Sequence, residues 1–341
     1  MSKYQEVQTA LAQRPQAWLV TGVAGFIGSN LLEQLLRLGQ QVVGLDNFSS
    51  GTRSNLAAVQ AKVAAESWAR FRLIEGDLGD LAACAAACQG ADFVVHQAGL
   101  GSVPRSLEDP LRSHASNVDG FLNLLVAARD AGVQRFVYAS SSSVYGDHPD
   151  LPKIESRIGR PLSPYAATKL IDEIYAAVFE RCYGLPTTGL RYFNVFGPRQ
   201  DPAGPYAAVI PIWFNALRHG LPVAINGDGL ASRDFCFVSN VVQANILAAL
   251  ESRKNGPSET YNVACGHRTT LLELFARIRE IVALRLPAVA TREPIFRSER
   301  PGDVRHSLAD VGRARGRLGY EPSHTLEDGL REACAWYFTQ A

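Results

Sequence analysis

The stretch AWLVTGVAGFIGSNLLEQLL, residues 17–36, runs from a short apolar segment through three glycines into an amphipathic helical pattern. Gly22, Gly25 and Gly28 stand at G-x-x-G-x-x-G spacing. Glycines at a strand end let the backbone turn tightly and approach a pyrophosphate, and the helix that follows offers its N-terminus to negative charge. A glycine-rich turn without a ligand is the plain alternative, and the pattern alone does not decide. The next apolar run does. VVGLD, residues 42–46, ends on Asp46, an acid placed to accept both hydroxyls of an adenosine ribose. It would repel a 2′-phosphate, so NAD is expected rather than NADP.

Further runs follow at FRLIEGD (71–77), FVVHQA (93–98) and FVYASSSSV (136–144), with helical patterns between them such as FLNLLVAARDAG (121–132). This alternation predicts βαβ units and an α/β fold, a Rossmann-like doubly wound parallel sheet covered on both faces. Asp77, closing the third run, reads equally as a contact to the adenine edge or as a turn residue. Beyond about residue 195 the pattern loosens into Gly-Pro-rich loops, FGPRQDPAGPYA, NGDGLASRDF and RSERPGD. Such loops often carry binding groups held by a rigid scaffold.

Composition narrows the partners. Net charge is +1 over 341 residues with the charges interspersed, so no nucleic-acid partner is expected. No apolar run approaches the ~18 residues of a membrane span. The N-terminal MSKYQEVQTALAQRP lacks the apolar stretch of a signal peptide, which makes the cytoplasm the expected compartment. Cys84 and Cys88 could share a helix face, but no acid or histidine is spaced to complete a metal site, so the six cysteines read as reduced packing residues and no metal is expected.

SPYAATK, residues 163–169, sets a phenol and an amine four positions apart. Ser163 reads as an N-cap with Pro164 at the first helical position. Lys169 then follows Tyr165 one turn later on the same face. The helix N-terminus, the ammonium and a cationic nicotinamide would each favour a phenolate. Bringing a phenol from ~10 to neutrality takes about three pH units, or roughly 4 kcal/mol. The strand end ASSSSVYG supplies hydroxyls at Ser140 to Ser143 on the carboxyl edge of the sheet, where α/β folds bind ligands. Spacing alone does not choose among them.

Taken together, TGVAGFIGSNL, GLDNFSSG, HQAGLGSVPRS, NVDGFLNLL, SSSSVYGDHP, SPYAATK, LRYFNVFGPRQDP, NGDG…SRDF and RPGDVRHSLAD resemble the extended short-chain dehydrogenase/reductases. Within them the chain looks like the bacterial UDP-N-acetylglucosamine 4-epimerases of surface-polysaccharide (O-antigen) pathways. The resemblance implies that Ser141 orients the reacting hydroxyl, that Tyr165 is the base, and that Lys169 tunes it and holds the nicotinamide ribose. It adds Phe26, Ile27, Asn47, Gly51 and Leu78 to the cofactor contacts, with Gln97, Ala98 and Tyr192 further along. For the substrate it implies Gly101, Ser102, Ser142 and Ser143 near the sugar. Asn194, Arg233, and Arg300 with Asp303 would contact the UDP part, where arginines suit a diphosphate. Asn226 would touch the uracil. Ala208, before Val209, stands where UDP-galactose epimerases have Asn. Ser307 replaces a bulky tyrosine of those enzymes and leaves room for an N-acetyl group. Gly99 stands where Ala is expected, which would loosen the region facing the sugar.

The division implied is an NAD-binding domain, 1–190 plus about 235–265, and a smaller nucleotide-sugar-binding domain, about 191–234 and 266–341. A homodimer through helices near 113–131 and 163–184 is implied as well. The expected reaction removes the 4-hydroxyl proton and a C4 hydride from a UDP-N-acetyl-hexosamine, forms a transient 4-keto sugar, and returns hydride to its other face. A UDP-glucuronate or UDP-glucose 4-epimerase is the nearest rival. Dehydratases of this fold carry an acidic pair where Ser142-Ser143 stand. A non-catalytic dinucleotide-binding scaffold is disfavoured because Ser, Tyr and Lys are all present.

Overall fold

The structure, a computed structural model, describes residues 1–204, 207–251, 259–299 and 304–339. Its sheet is formed by β1 (Ala17–Thr21), β2 (Gln41–Asp46), β3 (Phe71–Glu75), β4 (Phe93–His96), β5 (Arg135–Ser141), β6 (Thr187–Tyr192) and a last strand, Glu259–Val263. Across the sheet the order is Glu259–Val263, β6, β5, β4, β1, β2, β3, and every pairing is parallel. This is the Rossmann-like doubly wound arrangement. From β1 the chain builds outward through β2 and β3, then returns to the other side at β4. Connections leaving β1 and β4 diverge, which opens a crevice at their carboxyl ends.

Strand sequences follow from that burial. All of FVVH in β4 and TTGLRY in β6 is buried, as expected where helices cover both faces. The helix Phe26–Arg37 turns Leu31, Leu32, Leu35 and Leu36 into the core as one stripe. Burial of each such side chain stabilises by roughly 2 kcal/mol, and truncating one to alanine would cost about 3 kcal/mol.

The N-terminal segment folds as helix Lys3–Gln13, closed by a capping box between Ser2 and Gln5, and docks Leu11 into the first core. A second core gathers Phe196, Trp213, Phe214, Phe275 and Tyr337. One part of the expected division shifts. Ala309, Val311, Ala314, Leu318 and Tyr320 pack into the first core, because helix Gly312–Leu318 lies against the edge strand Glu259–Val263 and shields it. Cys84 and Cys88 are buried on one face of helix Leu81–Cys88, and burial pushes their thiols up to about 11 and about 12. Among the described residues no group of side chains could hold a metal ion, and no helix is long and apolar enough to cross a membrane.

Candidate active site

The crevice beside β1 is a cavity of about 310 Å³. Gly22, Gly25, Phe26, Ile27 and Gly28 form one wall, and Asp46, Asn47, Asp77 and Leu78 form another; Gln97, Ala98 and Gly101 line it too. Two glycines shape it for different reasons. Gly22 has φ +65°, and a Cβ there would stand 2.7 Å from Ala98 N. Gly25 is the N-cap of Phe26–Arg37, with no side-chain cap bond. A Cβ on Gly25 would meet only Gly22 O, at 3.1 Å, and would otherwise project into open space. The helix N-terminus thus faces the crevice with bare backbone, a cradle suited to a pyrophosphate.

Asp46 is buried at the end of β2 and fixes the loop before a ligand arrives. Its oxygens accept from Ala24 N and Phe48 N, both at 2.8 Å, which leaves lone pairs for ribose hydroxyls. Asp77 does turn work, accepting Gly79 N at 2.7 Å, and also accepts from Asn47 Nδ2 at 2.5 Å. Two expected cofactor contacts also serve the packing behind the cavity. Gly51 does not line the cavity; it packs on Ala24, where a Cβ would lie 2.8 Å from its carbonyl carbon. Tyr192 is buried and its hydroxyl meets Gln97 and Asn245 at 3.0 and 3.1 Å, so it positions Gln97 from behind. Ser116 and Gly76, which also line the cavity, had no signal in the sequence.

The helix Pro164–Tyr183 begins as its capping residues require. Ser163 accepts Ala166 N at 3.1 Å, and Pro164 takes the first position. The helix packs against β5 and the 3₁₀ turn Ser142–Tyr145. Tyr165 is half-buried and Lys169 is buried. Burial opposes the Lys169 charge, but Asp172 and Tyr165 more than offset it, so its pKa is raised. The serines divide as geometry demands. Ser140 points back to Glu173 Oε1 at 2.6 Å, and Glu173 is clamped by Arg191 at 2.7 and 2.9 Å. Ser141 ends the strand and accepts Ser143 N at 3.1 Å, while Ser142 and Ser143 are half-buried in the turn. Ser102 caps the short helix Val103–Glu108, which packs on Pro164–Tyr183. The Gly99 stretch is pinned rather than loosened: Asn117 bonds both Leu100 N and Leu100 O, at 2.7 and 3.2 Å, and Thr168 at 3.1 Å.

A second cavity, of about 210 Å³, opens in the smaller half. Asn194, Val209, Asn226 and Arg233 are brought together in its lining. Ala208, exposed at the N-cap of Val209–Arg218, gives that helix no side-chain cap. Ser307 is half-buried and outside the lining; its N–H bonds Ser232 O at 3.0 Å, beside Arg233. Arg300 and Asp303 lie outside the described residues. Residues not foreseen include Phe235, Leu271 and an ion-pair set in which Arg305 meets Asp228 at 2.6 Å and Glu299 at 3.5 Å. Behind the cavity wall, Asp234 accepts Cys265 N and Gly266 N at 3.0 Å and Ala309 N at 3.3 Å. Burial pushes its carboxyl up to about 6.

A parallel sheet with a bare helix N-terminus in its crevice, a buried acid at the end of β2 and a Tyr–Lys helix is the arrangement of an NAD-binding protein of the dehydrogenase-like class. Residues 18–264 match the model of the NAD dependent epimerase/dehydratase family, and the chain belongs to that family, with NAD as its cofactor. It is 38% identical over 322 residues to the UDP-glucose 4-epimerase of Mycolicibacterium smegmatis, covering 94% of this chain and 97% of that one. A solved UDP-N-acetylglucosamine 4-epimerase from Methanobrevibacter ruminantium M1, in complex with UDP-N-acetylmuramic acid, superposes with TM-score 0.87 at 37% identity, covering 96% and 99% of the two chains. A UDP-glucuronic acid 4-epimerase from Bacillus cereus, solved with NAD, superposes with TM-score 0.81 at 30% identity, covering 94% and 98%.

Proposed function

We propose that this chain interconverts C4 epimers of UDP-N-acetyl-hexosamines. The observation that carries the reading is the capped helix Pro164–Tyr183, which sets Tyr165 one turn from a buried, charged Lys169. Beside it lies the NAD cleft, whose Gly25 cradle and Asp46 carboxylate fit the pyrophosphate and ribose of that cofactor. Bound NAD supplies a hydride acceptor and donor. The protein does the rest. Ser141 orients the sugar 4-hydroxyl, and Tyr165 takes its proton and later returns one. Lys169 holds the phenolate and the nicotinamide ribose in place. Asn194, Val209, Asn226 and Arg233 grip the UDP moiety, so a 4-keto sugar can turn over without leaving. In this reading the first core serves the cofactor and the second the nucleotide sugar.

The small Ser307 beside Arg233 favours room for an N-acetyl group, and the UDP-N-acetylglucosamine 4-epimerase relative agrees with that choice. A missing wall admits a substituent without excluding its absence. The UDP-glucose 4-epimerase relative therefore keeps UDP-glucose as a second reading. We further read the chain as a cytoplasmic homodimer. Leu107, Leu111, Ile174 and Tyr183 are exposed on the helices around Pro164–Tyr183, an apolar surface suited to a second copy.

Incubation with UDP-N-acetylglucosamine, UDP-glucose and UDP-glucuronate, followed by chromatography, separates the substrates. Conversion of the first is expected at the highest kcat/KM. Turnover of UDP-glucuronate alone would move the assignment to that rival.

A further inference from the structure

The helix that carries Tyr165 and Lys169 holds a third ionisable group that the mechanism above leaves unused. Asp172 is fully buried. Its Oδ2 accepts from Lys169 Nζ at 3.1 Å, while Oδ1 has no hydrogen-bond partner among the described residues. A half-satisfied carboxylate in a core is costly, and an apolar side chain would close the same helix face without that cost.

The other ionisable groups nearby weigh less on the lysine. Glu173, next on the helix, is matched by the paired contacts of Arg191 from β6. His96 from β4 is held neutral, its pKa pushed down to about 3 by burial and by Lys169. Tyr145 from the 3₁₀ turn is held protonated, pushed up to about 12 by burial. Asp172 and Tyr165 act most strongly on the Lys169 charge, with Glu173 a smaller contributor. Burial pushes the Asp172 carboxyl up, against the pull of Lys169, while its bond to the ammonium keeps the pair together.

We propose that Asp172 is a positioning residue for the epimerisation: it draws Lys169 Nζ toward itself and offsets the ammonium charge that Tyr165 feels. Its effect is to keep the phenol a stronger base than lysine alone would allow. A base whose pKa lies near the working pH transfers protons best in both directions, as a reversible epimerisation needs. The sign follows from charge alone. An anion beside the Tyr–Lys pair opposes loss of a proton from that pair, so removing the anion moves the deprotonation to lower pH.

This inference rests on the assignment of Tyr165 as the base, and the test separates the two. Phenolate formation is followed by near-ultraviolet absorbance in the NAD-loaded enzyme, with Tyr165→Phe as the blank. The acid limb of kcat/KM is measured in parallel with UDP-N-acetylglucosamine and UDP-glucose. In Asp172→Asn both transitions should move down by about one pH unit, with KM changed less than about twofold; Asp172→Glu should restore the wild-type profile. If the Asn variant misfolds, Asp172→Leu carries the same expected shift. Transitions that stay in place, or move up, in a folded variant would overturn the role of Asp172 while leaving Tyr165 as the base. Full turnover in Tyr165→Phe would overturn both.

Discussion

The two candidate site cavities are built by different means. The cleft proposed for the cofactor is made at the carboxyl ends of successive strands: a glycine loop after β1 and the helix it opens, acids at the end of β2 and just beyond β3, and the segment after β4. Its preset contacts are largely backbone groups, such as Ala24 N and Phe48 N bonded to Asp46. The cavity proposed for the substrate is assembled from segments scattered between Asn194 and Arg305, and side-chain ion pairs such as Arg305–Asp228 join them. A backbone-built site tolerates little change, whereas a side-chain-built site can lose one contact and keep its fold. In the proposed reading the first half sets the chemistry and the second sets what receives it.

Four experiments sharpen or break that contrast, taken from the largest effect to the smallest. Tyr165→Phe should lower kcat by about 10³-fold or more, the scale of a lost general base, while UDP-sugar binding by calorimetry stays nearly intact. Gly28→Ala should strike the cofactor half through its backbone. A Cβ there would fall 2.1 Å from Gly22 O, so a loss of about 3 kcal/mol of stability in urea unfolding, with loss of bound NAD, is expected. Arg233→Ala should act on the other half alone. It should raise KM for the UDP-sugar by about 10- to 100-fold, the value of a hydrogen bond to a charged group, with NAD content unchanged. Loss of NAD in that variant would contradict the division of labour.

The fourth concerns pH. His96, buried in β4 and bonded to Thr21 at 2.7 Å, has its pKa pushed down to about 3. An unfolded histidine takes a proton near ~6.5 that the folded one refuses. Stability from this group is present above that pH and is lost as pH falls toward 3, by about 1.4 kcal/mol per unit below ~6. Urea unfolding of His96→Asn between pH 7 and 5 should show a flatter dependence than the parent protein.

The same contrast explains what could be read in advance. The glycine loop, Asp46 and the Ser163 cap are local patterns whose physics is complete within a few residues, and each stands where the sequence places it. The serine run was legible as a site but not residue by residue, because the partner that removes Ser140, Glu173, lies 33 positions away. Gly51 and Tyr192, cofactor contacts by position, also pack on Ala24 and bond Gln97, contacts that no local pattern announces. Arg305 with Asp228, 77 residues apart, carried no sequence signal. Asp172 looked like any polar position on a helix until its burial was known.

Purified enzyme, given UDP-N-acetylglucosamine without added NAD, offers the most direct test of the central claim. The prediction is that UDP-N-acetylgalactosamine accumulates to a fixed ratio, approached from either epimer, with no net NADH, and that Tyr165→Phe abolishes it. Steady production of NADH with an oxidised sugar as the end product, or undiminished conversion by Tyr165→Phe, would contradict it.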